Sequence, residues 1–229
     1  MSFREINLER LSESKYPQGI SAYMIAYNSG ATIELALQSV RPFVNEMIII
    51  NQGSTDRTGE IAKKYATHYE ERDKPLGFPE PDRQYAMDTA KYRWILIVDA
   101  DEIFTYPLMH FISTQFIHQN NYDGLRCQNI SIFEDRLPNV EFCCKYVLVR
   151  KDNATIRPIL HAQIEGIKYP YDVREAVLLH LQGNKQKQLE KLEIYDKIVA
   201  DTLNRGIISQ EEATTQLGIN SKSRGGMKR

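Results

Sequence analysis

The sequence has few of the residues that build extracellular and membrane-embedded proteins. It contains three cysteines among 229 residues; Cys143 and Cys144 are adjacent, and Cys127 stands apart. This spacing offers neither a disulfide framework nor a metal-binding pattern, and it suits buried thiols in a reducing compartment. Residues 1–19 lack the apolar core of a signal peptide, and no apolar run is long enough to cross a bilayer. We therefore expect a cytoplasmic protein.

An excess of either charge is also missing. Lysine and arginine total 29 against 30 acidic residues, so the formal net charge is -1. Because no overall positive field surrounds such a chain, we expect no nucleic-acid partner, and any phosphate ligand must be held by local groups. The basic residues of segment 219–229 lie between glycines and serines, which is typical of a disordered tail with at most peripheral membrane contact.

Strand and helix patterns alternate through the first hundred residues. Apolar runs predict strands at 20–27, 46–51, 67–71 and 93–99, and amphipathic spacing predicts helices at 33–40, 59–65 and 82–92. This order predicts an α/β fold with an open, mostly parallel, Rossmann-like sheet flanked by helices, whose ligand crevice lies at the carboxyl ends of the strands. Polar residues follow three of these strands, at Asn28, at 51–56 and at 99–102.

The pattern changes after residue 104. A helix is predicted at 107–119, followed by two β-rich runs at 124–133 and 140–150 that form a hairpin through 134–139. A short strand is predicted at 176–181 and a helix at 186–205. Ser209 and Glu212 have the spacing of a capping box, which would open a last helix ending near Gly218.

The most informative local feature is a buried strand that ends in carboxylates. The apolar run 94–98 is followed by Asp99, Ala100, Asp101 and Glu102. In extended backbone, residues two apart point the same way, so Asp99 and Asp101 can converge on one ligand. Carboxylate oxygens suit Mg²⁺ or Mn²⁺, the ions that neutralise phosphates. The plainer alternative is that two aspartates at this spacing arise by chance in a charged sequence.

Together these segments carry a resemblance. Strand 20–27 with Asn28, the run Gly53-Ser54-Thr55-Asp56 after the second strand, Arg83 in the segment 82–86, and the motif at 99–102 occur in an order similar to that of family 2 glycosyltransferases with the GT-A fold. The likeness covers roughly residues 18–200 and is greatest to small bacterial members that build lipopolysaccharide cores and glycans.

The resemblance implies a division of the chain and a reaction. The domain would span 1–205, with a nucleotide-sugar half at 18–104 and an acceptor half with a β-hairpin at 105–183. A helical extension at 184–218 and the tail 219–229 would follow. The implied reaction transfers a sugar, with inversion, from a nucleotide-diphosphate donor to a glycan or lipid-linked acceptor, and it uses Mn²⁺ or Mg²⁺.

The resemblance also implies roles for single residues. Asp101 and His180 would bind the metal, although a lone histidine in an apolar strand is ordinarily a core residue. Asp99 would hold the ribose or a metal-bound water, Arg83 would contact phosphate, and Glu102 would support the loop or form a salt bridge. Asp56 would bind ligand or merely cap the helix after it. The implied substrate-binding set is Ala26, Tyr27, Asn28, Asn51, Gln52, Asp56, Arg83, Asp99 and Ala100.

Two departures from the family pattern affect the donor and the catalytic base. An aspartate that pairs with the nucleotide base is expected where Asn51 and Gln52 stand, and an amide could read uracil, thymine or another base. The segment 159–165 resembles one with a His-Glu pair, but Ala162 occupies the glutamate position. The base would then be Glu165 or His161, with an acid at Glu134 or Asp135 as a further candidate.

Two other functions fit parts of the sequence. The motif at 96–103 also resembles the start of haloacid-dehalogenase-type phosphatases, with Asp99 as nucleophile, but a hundred residues precede it and the later acid pairs of that family are missing. The absent glutamate after His161 would also allow a catalytically silent nucleotide-sugar binding protein. A nucleotidyltransferase is disfavoured, because no glycine-rich loop with arginine or lysine follows the first strand.

Overall fold

The computed structural model describes residues 13–74, 78–135, 139–157, 162–183, 185–205 and 209–213. Three predicted features lie outside these ranges: the catalytic candidate His161, the helix end near Gly218 and the basic tail 219–229. No helix within the ranges has the length and apolar composition of a membrane span.

The first half of the chain forms the predicted alternation of strands and helices. Its strands are β1 (Ile20–Ala26), β2 (Glu46–Asn51), β3 (His68–Glu71) and β4 (Trp94–Ile97). Its helices are α1 (Ile33–Val40), α2 (Thr58–Tyr65) and α3 (Glu80–Thr89), with a 3₁₀ helix at Arg41–Phe43. The strands pair in parallel in the order β3-β2-β1-β4. Their carboxyl ends therefore meet at one edge, as the sequence predicts.

The second half extends the same sheet with strands of mixed direction. Its elements are β5 (Glu102–Phe104), α4 (Tyr106–Thr114), a 3₁₀ helix (Phe116–His118), β6 (Gly124–Ile132), β7 (Asn139–Arg150), β8 (Thr155–Ile156), β9 (Ile164–Glu165), β10 (Pro170–Leu181) and α5 (Lys185–Asn204). Within the described ranges the sheet has eight strands in the order β3-β2-β1-β4-β7-β6-β10-β5, and β8 pairs with β9 apart from it. Strand β7 is antiparallel to both β4 and β6, and β10 is parallel to β6.

Several elements differ from the prediction. The predicted strand 176–181 is the last half of β10, which begins at Pro170 and contains an irregularity between Val173 and Val177. A proline can open a strand because its missing N–H is not yet needed by the ladder. The predicted helix 107–119 is divided between α4 and a 3₁₀ helix, and β5 was not predicted because three residues are too few to show a pattern.

Helices and loops cover both faces of the central strands. On one face Met24 and Leu96 pack with Ile33 and Leu37 of α1 and with Leu108 of α4. On the other face the alternate strand residues pack with α3; this set is Tyr23, Ile48, Ile50, Ile95, Ile97, Ala86 and Met87. Burial on both faces explains why the run before Asp99 is continuously apolar rather than alternating.

The C-terminal segment contains the predicted capping box and is tied to the domain by apolar packing. Glu212 N donates to Ser209 Oγ at 3.2 Å, and Ser209 N donates to Glu212 Oε2 at 2.9 Å. Ala213 and Val199 of α5 are buried, and they pack with Phe78 and Ala162. The segment therefore contacts one loop from each half of the chain.

Asp123 joins three strands of the second half. Its carboxylate is fully buried and accepts hydrogen bonds from Lys168 N at 2.8 Å and Tyr169 N at 2.7 Å, just before β10 begins. Its backbone carbonyl accepts from Arg150 N, the last residue of β7. One buried side chain thus satisfies two backbone donors at the junction of β6, β7 and β10.

We predict that Asp123→Ala lowers the free energy of unfolding by about 1–3 kcal/mol, because two partly buried backbone N–H groups lose their acceptor. Urea denaturation measures this change. The matched control is Asp73→Ala, since Asp73 is exposed; it should change stability by less than about 0.5 kcal/mol. Equal effects of the two substitutions would contradict this role for Asp123.

Candidate active site

The candidate site lies where the carboxyl ends of β1, β2 and β4 meet the end of β10. The chain leaves β4 and turns, with Glu102 N donating to Asp99 O at 3.1 Å, before it enters β5. Strand β5 pairs with β10 so that Glu102 stands opposite His180. This short antiparallel pair brings the predicted metal ligands Asp101 and His180 together from positions far apart in sequence.

Reciprocal hydrogen bonds tie the loop after β1 to the loop after β2. Asn28 has a left-handed backbone conformation (φ 46°); its N donates to Ser54 Oγ, and its Oδ1 accepts from Thr55 N, both at 2.9 Å. Gly30 N donates to Asp56 Oδ2 at 2.9 Å, and a Cβ on Gly30 would lie 2.8 Å from that oxygen. The side chains of Asn28 and Asp56 therefore shape this part of the crevice.

Asp56 has the structural role that the sequence left open. Its Oδ1 accepts from Thr58 N at 2.9 Å at the start of α2. Burial raises its pKa, but the hydrogen bonds from Thr58 and Gly30 outweigh that effect and lower the pKa below its ordinary value. The carboxylate thus anchors the start of α2, and direct ligand binding by Asp56 stays a prediction.

The amide of Asn51 is fully buried and fully hydrogen-bonded. Its Nδ2 donates to Tyr69 Oη and to Glu71 Oε1, both at 3.2 Å, and its Oδ1 accepts from Ser54 N and Ser54 Oγ. These four bonds use the whole capacity of an amide. An aspartate at this position would lose both donors and lie beside the carboxylate of Glu71, so an amide suits these partners.

Gln52 is likewise engaged inside the protein. Its Nε2 donates to Asp82 Oδ2 at 2.8 Å, and Asp82 Oδ1 accepts from Arg72 Nε at 3.0 Å. Base recognition by Asn51 and Gln52 stays a prediction, and contact with a base would require exchange of these internal bonds. Of the other predicted residues at this edge, Tyr27 is exposed while Ala26 and Ala100 are buried.

Asp99 is held between two cations. Arg83 Nη2 donates to Asp99 Oδ1 at 2.6 Å, and Lys145 Nζ donates to Asp99 Oδ2 at 2.5 Å. The same ammonium lies 2.7 Å from both carboxylate oxygens of the buried Glu102. Two carboxylates and two cations thus form one partly exposed cluster at the end of β4, in which the Lys145 side chain is 24% exposed and that of Asp99 is 32% exposed.

The pKa shifts follow from this cluster. Burial works to raise the pKa of Asp99, but the charges of Arg83 and Lys145 outweigh burial and hold it well below its ordinary value. The pKa of Lys145 is raised, because Asp99 and Glu102 overcome the opposing effect of burial. Glu102 differs: burial raises its pKa, and Lys145 only partly offsets this. Asp99 therefore stays ionised across the physiological range.

Lys145 was not predicted from the sequence, because no local motif marks it. It lies within a β-rich run, and only pairing reveals its position. In the β4–β7 pair Leu96 stands opposite Leu148. Continuing this antiparallel register by three residues in each strand places Lys145 opposite Asp99. The available signal was that Lys145 precedes the core residue Leu148 by three positions. This signal can be used only when the pairing register of β4 and β7 is known.

Asp101 faces His180 across the end of the sheet. His180 Nε2 lies 3.4 Å from Asp101 Oδ2, and Leu181 N donates to Asp101 O at 2.7 Å. Burial lowers the pKa of His180, but its hydrogen bond to Asp101 and the charge of that carboxylate outweigh burial and raise it. The two side chains are partly exposed and approach each other within the distance that a shared cation could bridge.

The donor set at this point fits a divalent ion that also binds substrate. Within the described ranges, no group of three or more histidine, cysteine, aspartate or glutamate side chains could hold a metal by itself. Asp101 and His180 supply one oxygen and one nitrogen, and Mg²⁺ and Mn²⁺ in phosphate sites commonly take their other ligands from phosphate and water. Asp99, whose charge is compensated by Arg83 and Lys145, is poorly suited to be a further ligand.

The candidate bases lie in different places. Glu165 on β9 is exposed, and Arg157 Nε lies 3.4 Å from its Oε1, while Arg157 Nη2 lies 2.9 Å from Glu212 Oε1. Glu134 and Asp135 follow β6, and Glu134 N donates to Gly183 O just beyond the end of β10. The structure thus places Glu134 and Asp135 on the His180 side of the site and Glu165 beside the small β8–β9 pair.

Comparison with known families and curated proteins gives a consistent result. A sequence model described as glycosyl transferase family 2 matches residues 21–140. An uncharacterized glycosyltransferase of Rickettsia bellii (strain RML369-C) is 36% identical over 102 residues, which are 44% of this chain and 34% of that protein. An uncharacterized glycosyltransferase of Rickettsia felis is 34% identical over 102 residues. The aligned segment thus covers about a third of the length of each curated relative.

Solved structures share the fold over most of the chain. TarS 1-349 from S. aureus, in complex with UDP-GlcNAc, aligns with a TM-score of 0.59 at 15% identity and covers 86% of this chain and 70% of that one. Glucosyl-3-phosphoglycerate synthase from Mycobacterium tuberculosis, in complex with Mg²⁺ and UDP, aligns with a TM-score of 0.56 at 16% identity and covers 84% and 81%. These similarities confirm the predicted fold class.

We predict that Lys145→Met lowers the free energy of unfolding by about 3–5 kcal/mol, because it leaves Asp99 and Glu102 without their shared cation. The loss should grow as pH rises from about 5 to 8. Without Lys145 the pKa of Glu102 in the folded protein rises further above its unfolded value. Folding then favours the protonated form, and that stability is lost as pH rises through the folded pKa. Urea denaturation at several pH values measures both effects.

Lys64→Met is the matched control for this substitution. Lys64 forms an exposed ion pair with Glu60 at 3.1 Å, and its loss should cost no more than about 0.5 kcal/mol at any pH. The double variant Lys145→Met/Glu102→Gln should recover part of the lost stability. No recovery in the double variant, together with a flat pH profile, would show that Lys145 does not compensate Glu102.

Proposed function

Because the chain belongs to glycosyl transferase family 2, we propose that it transfers a sugar from a nucleoside-diphosphate donor to a hydroxyl group of a glycan or lipid-linked acceptor. The observation that carries the proposal is the pairing of Asp101 with His180 beside the compensated Asp99, at the carboxyl edge of the sheet. This edge is where α/β folds bind nucleotides.

The similar structures support a uridine nucleotide and a divalent ion. TarS is described in complex with UDP-GlcNAc, and glucosyl-3-phosphoglycerate synthase in complex with UDP and either Mg²⁺ or Mn²⁺. In this chain Asp101 and His180 would hold the ion, and the bound ion would act as a Lewis acid toward the diphosphate. We therefore propose a UDP-sugar as donor, with Mn²⁺ or Mg²⁺ as cofactor.

The chain's own residues prepare the donor side. Asp99 is kept ionised by Arg83 and Lys145, and an ionised carboxylate accepts hydrogen bonds from ribose hydroxyls. Arg83 and Lys145 are partly exposed and place two fixed positive charges beside the motif. When the bond between the anomeric carbon and the phosphate oxygen breaks, its electron pair leaves with the diphosphate, and preoriented cations stabilise that negative charge.

The acceptor side needs a base. The acceptor hydroxyl forms the new bond to the anomeric carbon, and its proton passes to a carboxylate or imidazole. Glu165 is the first candidate, because it is an exposed carboxylate within the segment that the resemblance assigns to the acceptor side. His161 lies outside the described residues, and Glu134 and Asp135 are the remaining candidates. Inversion of the anomeric carbon follows if the attack occurs opposite the leaving diphosphate.

A silent nucleotide-sugar binding protein is the second candidate function. It is favoured by Ala162, which stands where the resemblance expects a glutamate. The phosphatase alternative requires Asp99 as nucleophile, but Arg83 and Lys145 hold the pKa of Asp99 well below its ordinary value, which makes this carboxylate a weak nucleophile. Hydrolysis or transfer of a UDP-sugar separates an enzyme from a silent binder.

We predict that UDP binds more tightly with Mn²⁺ than with chelator, and that Asp101→Asn removes this difference. The substitution keeps the size of the side chain but takes away the charge that holds the ion, so the Mn²⁺-dependent affinity should fall by at least about tenfold. Isothermal titration calorimetry measures it.

Asp201→Asn is the control, because Asp201 is an exposed aspartate on α5 whose ion pair is with Arg205. Its binding should match that of the wild type. If Asp101→Asn bound UDP with Mn²⁺ at full strength, the metal would be held elsewhere or not used.

We predict that Glu165→Gln lowers the rate of sugar transfer by about 10²–10⁴-fold, which is the usual size of a general-base contribution. The affinity for UDP should not change. The assay follows transfer of radiolabelled sugar from UDP-sugars to a panel of glycan acceptors. Glu212→Gln is the matched control, since Glu212 contacts the same arginine at 2.9 Å. An unaffected rate in Glu165→Gln would assign the base to His161, Glu134 or Asp135.

A further inference from the structure

The His180 ring has different neighbours on its two nitrogens. Nε2 faces Asp101 Oδ2 at 3.4 Å, and Nδ1 lies 3.3 Å from Asn129 Nδ2. A neutral imidazole carries its proton on one nitrogen and a lone pair on the other. Binding of a cation through Nε2 therefore requires the proton to be on Nδ1, and whatever lies beside Nδ1 decides whether that form is stable.

Gln182 also lies close to the ring, but over its face. An atom on the in-plane axis of one ring nitrogen is distant from the other, because the two axes diverge. Gln182 Nε2 is instead 2.8 Å from Nδ1 and 3.3 Å from Nε2 of the same ring. This position is incompatible with a well-directed bond to either nitrogen. Asn129 is the neighbour of Nδ1 to consider.

Asn129 is buried, and its side-chain oxygen is an unused hydrogen-bond acceptor among the described residues. It is 6% exposed, and its Oδ1 makes no hydrogen bond within the described part of the chain. It shares a face of β6 with Cys127, which belongs to the apolar core. Burying a polar side chain with an unused acceptor beside apolar residues costs free energy, so its presence here calls for an explanation. In the structure, the Asn129 N–H₂ group faces Nδ1 of His180. The ring proton is then on Nε2, where it is directed at Asp101.

We propose that Asn129 is a positioning residue for His180, whose amide serves both proton placements of the ring. Without a cation, Nδ2–H donates to Nδ1, and Nε2–H donates to Asp101. When Nε2 binds a divalent cation, the amide turns over, so that Oδ1 accepts from Nδ1–H and holds the ring toward Asp101. An asparagine can do both because its oxygen and nitrogen ends have nearly the same shape. This inference rests on the proposed function for its metal, but the proton placement can be tested without one.

The test uses ¹⁵N-labelled histidine and NMR of the full chain at about pH 9, where histidine is neutral. The chain has five histidines, and loss of signal in His180→Gln assigns the ring. We expect the proton on Nε2 in the ligand-free wild type and on Nδ1 after addition of Mg²⁺ with UDP. Asn129→Asp, which offers only acceptors, should place a proton on Nδ1 without ligand. Asn129→Leu should leave it on Nε2.

Affinity for Mn²⁺ with UDP supplies the second measurement. Asn129→Leu should weaken it by about 10–100-fold, the usual effect of losing a partner of a metal-bound histidine. Gln182→Met is the matched control, because it removes an amide that touches the ring face; it should leave proton placement unchanged and affinity within about threefold.

The inference is overturned if Asn129→Asp leaves Nδ1 unprotonated, or if UDP and Mg²⁺ bind while the wild-type proton stays on Nε2. If UDP and Mg²⁺ fail to bind at all, the proposed function fails. In that case, the proton placement on His180 in ligand-free Asn129→Asp still decides the role of Asn129.

Discussion

The candidate site depends on a charge balance at the end of β4. A buried strand delivers three acidic residues within four positions, and carboxylates at such spacing repel one another. Lys145 enters from the neighbouring antiparallel strand and bridges Asp99 and Glu102, while Arg83 approaches Asp99 from α3. The compensation is selective: Asp99 and Glu102 are paired with cations, and Asp101 is directed to His180. Within the motif, Asp99 and Glu102 are thus compensated by cations of the protein, while Asp101 is suited to an added cation.

This balance gives meaning to the mixed topology of the sheet. Parallel strands alone would align β1, β2 and β4 and their loops, but they would bring neither Lys145 nor His180 to the motif. Lys145 arrives because β7 runs antiparallel to β4, and His180 arrives because β10 pairs with the short β5 that follows the motif. The second half of the chain therefore completes the candidate site as well as extending the sheet.

Much of the first half could be predicted from sequence, because its strands and helices carry their own periodicity and its loops follow directly. The acidic motif and Arg83 were found in the same way. Lys145, Asn129 and β5 were not, since their significance lies in the registers of distant strands. Base recognition by Asn51 and Gln52 stays a prediction, and the burial of their amides could not be read from the sequence. Their partners Glu71 and Asp82 come from β3 and α3, which no local pattern links to position 51 or 52.

The saturated amide of Asn51 also limits how this sequence can vary during evolution. Its two donors end on Tyr69 and Glu71, and its oxygen takes both donors of Ser54. An aspartate at position 51 would lose both donors and lie beside the carboxylate of Glu71, and a neutral residue at position 71 would relieve that repulsion. Among relatives, acidic residues should therefore seldom occur at positions 51 and 71 of the same sequence. The residue at position 71 should vary together with the residue at position 51.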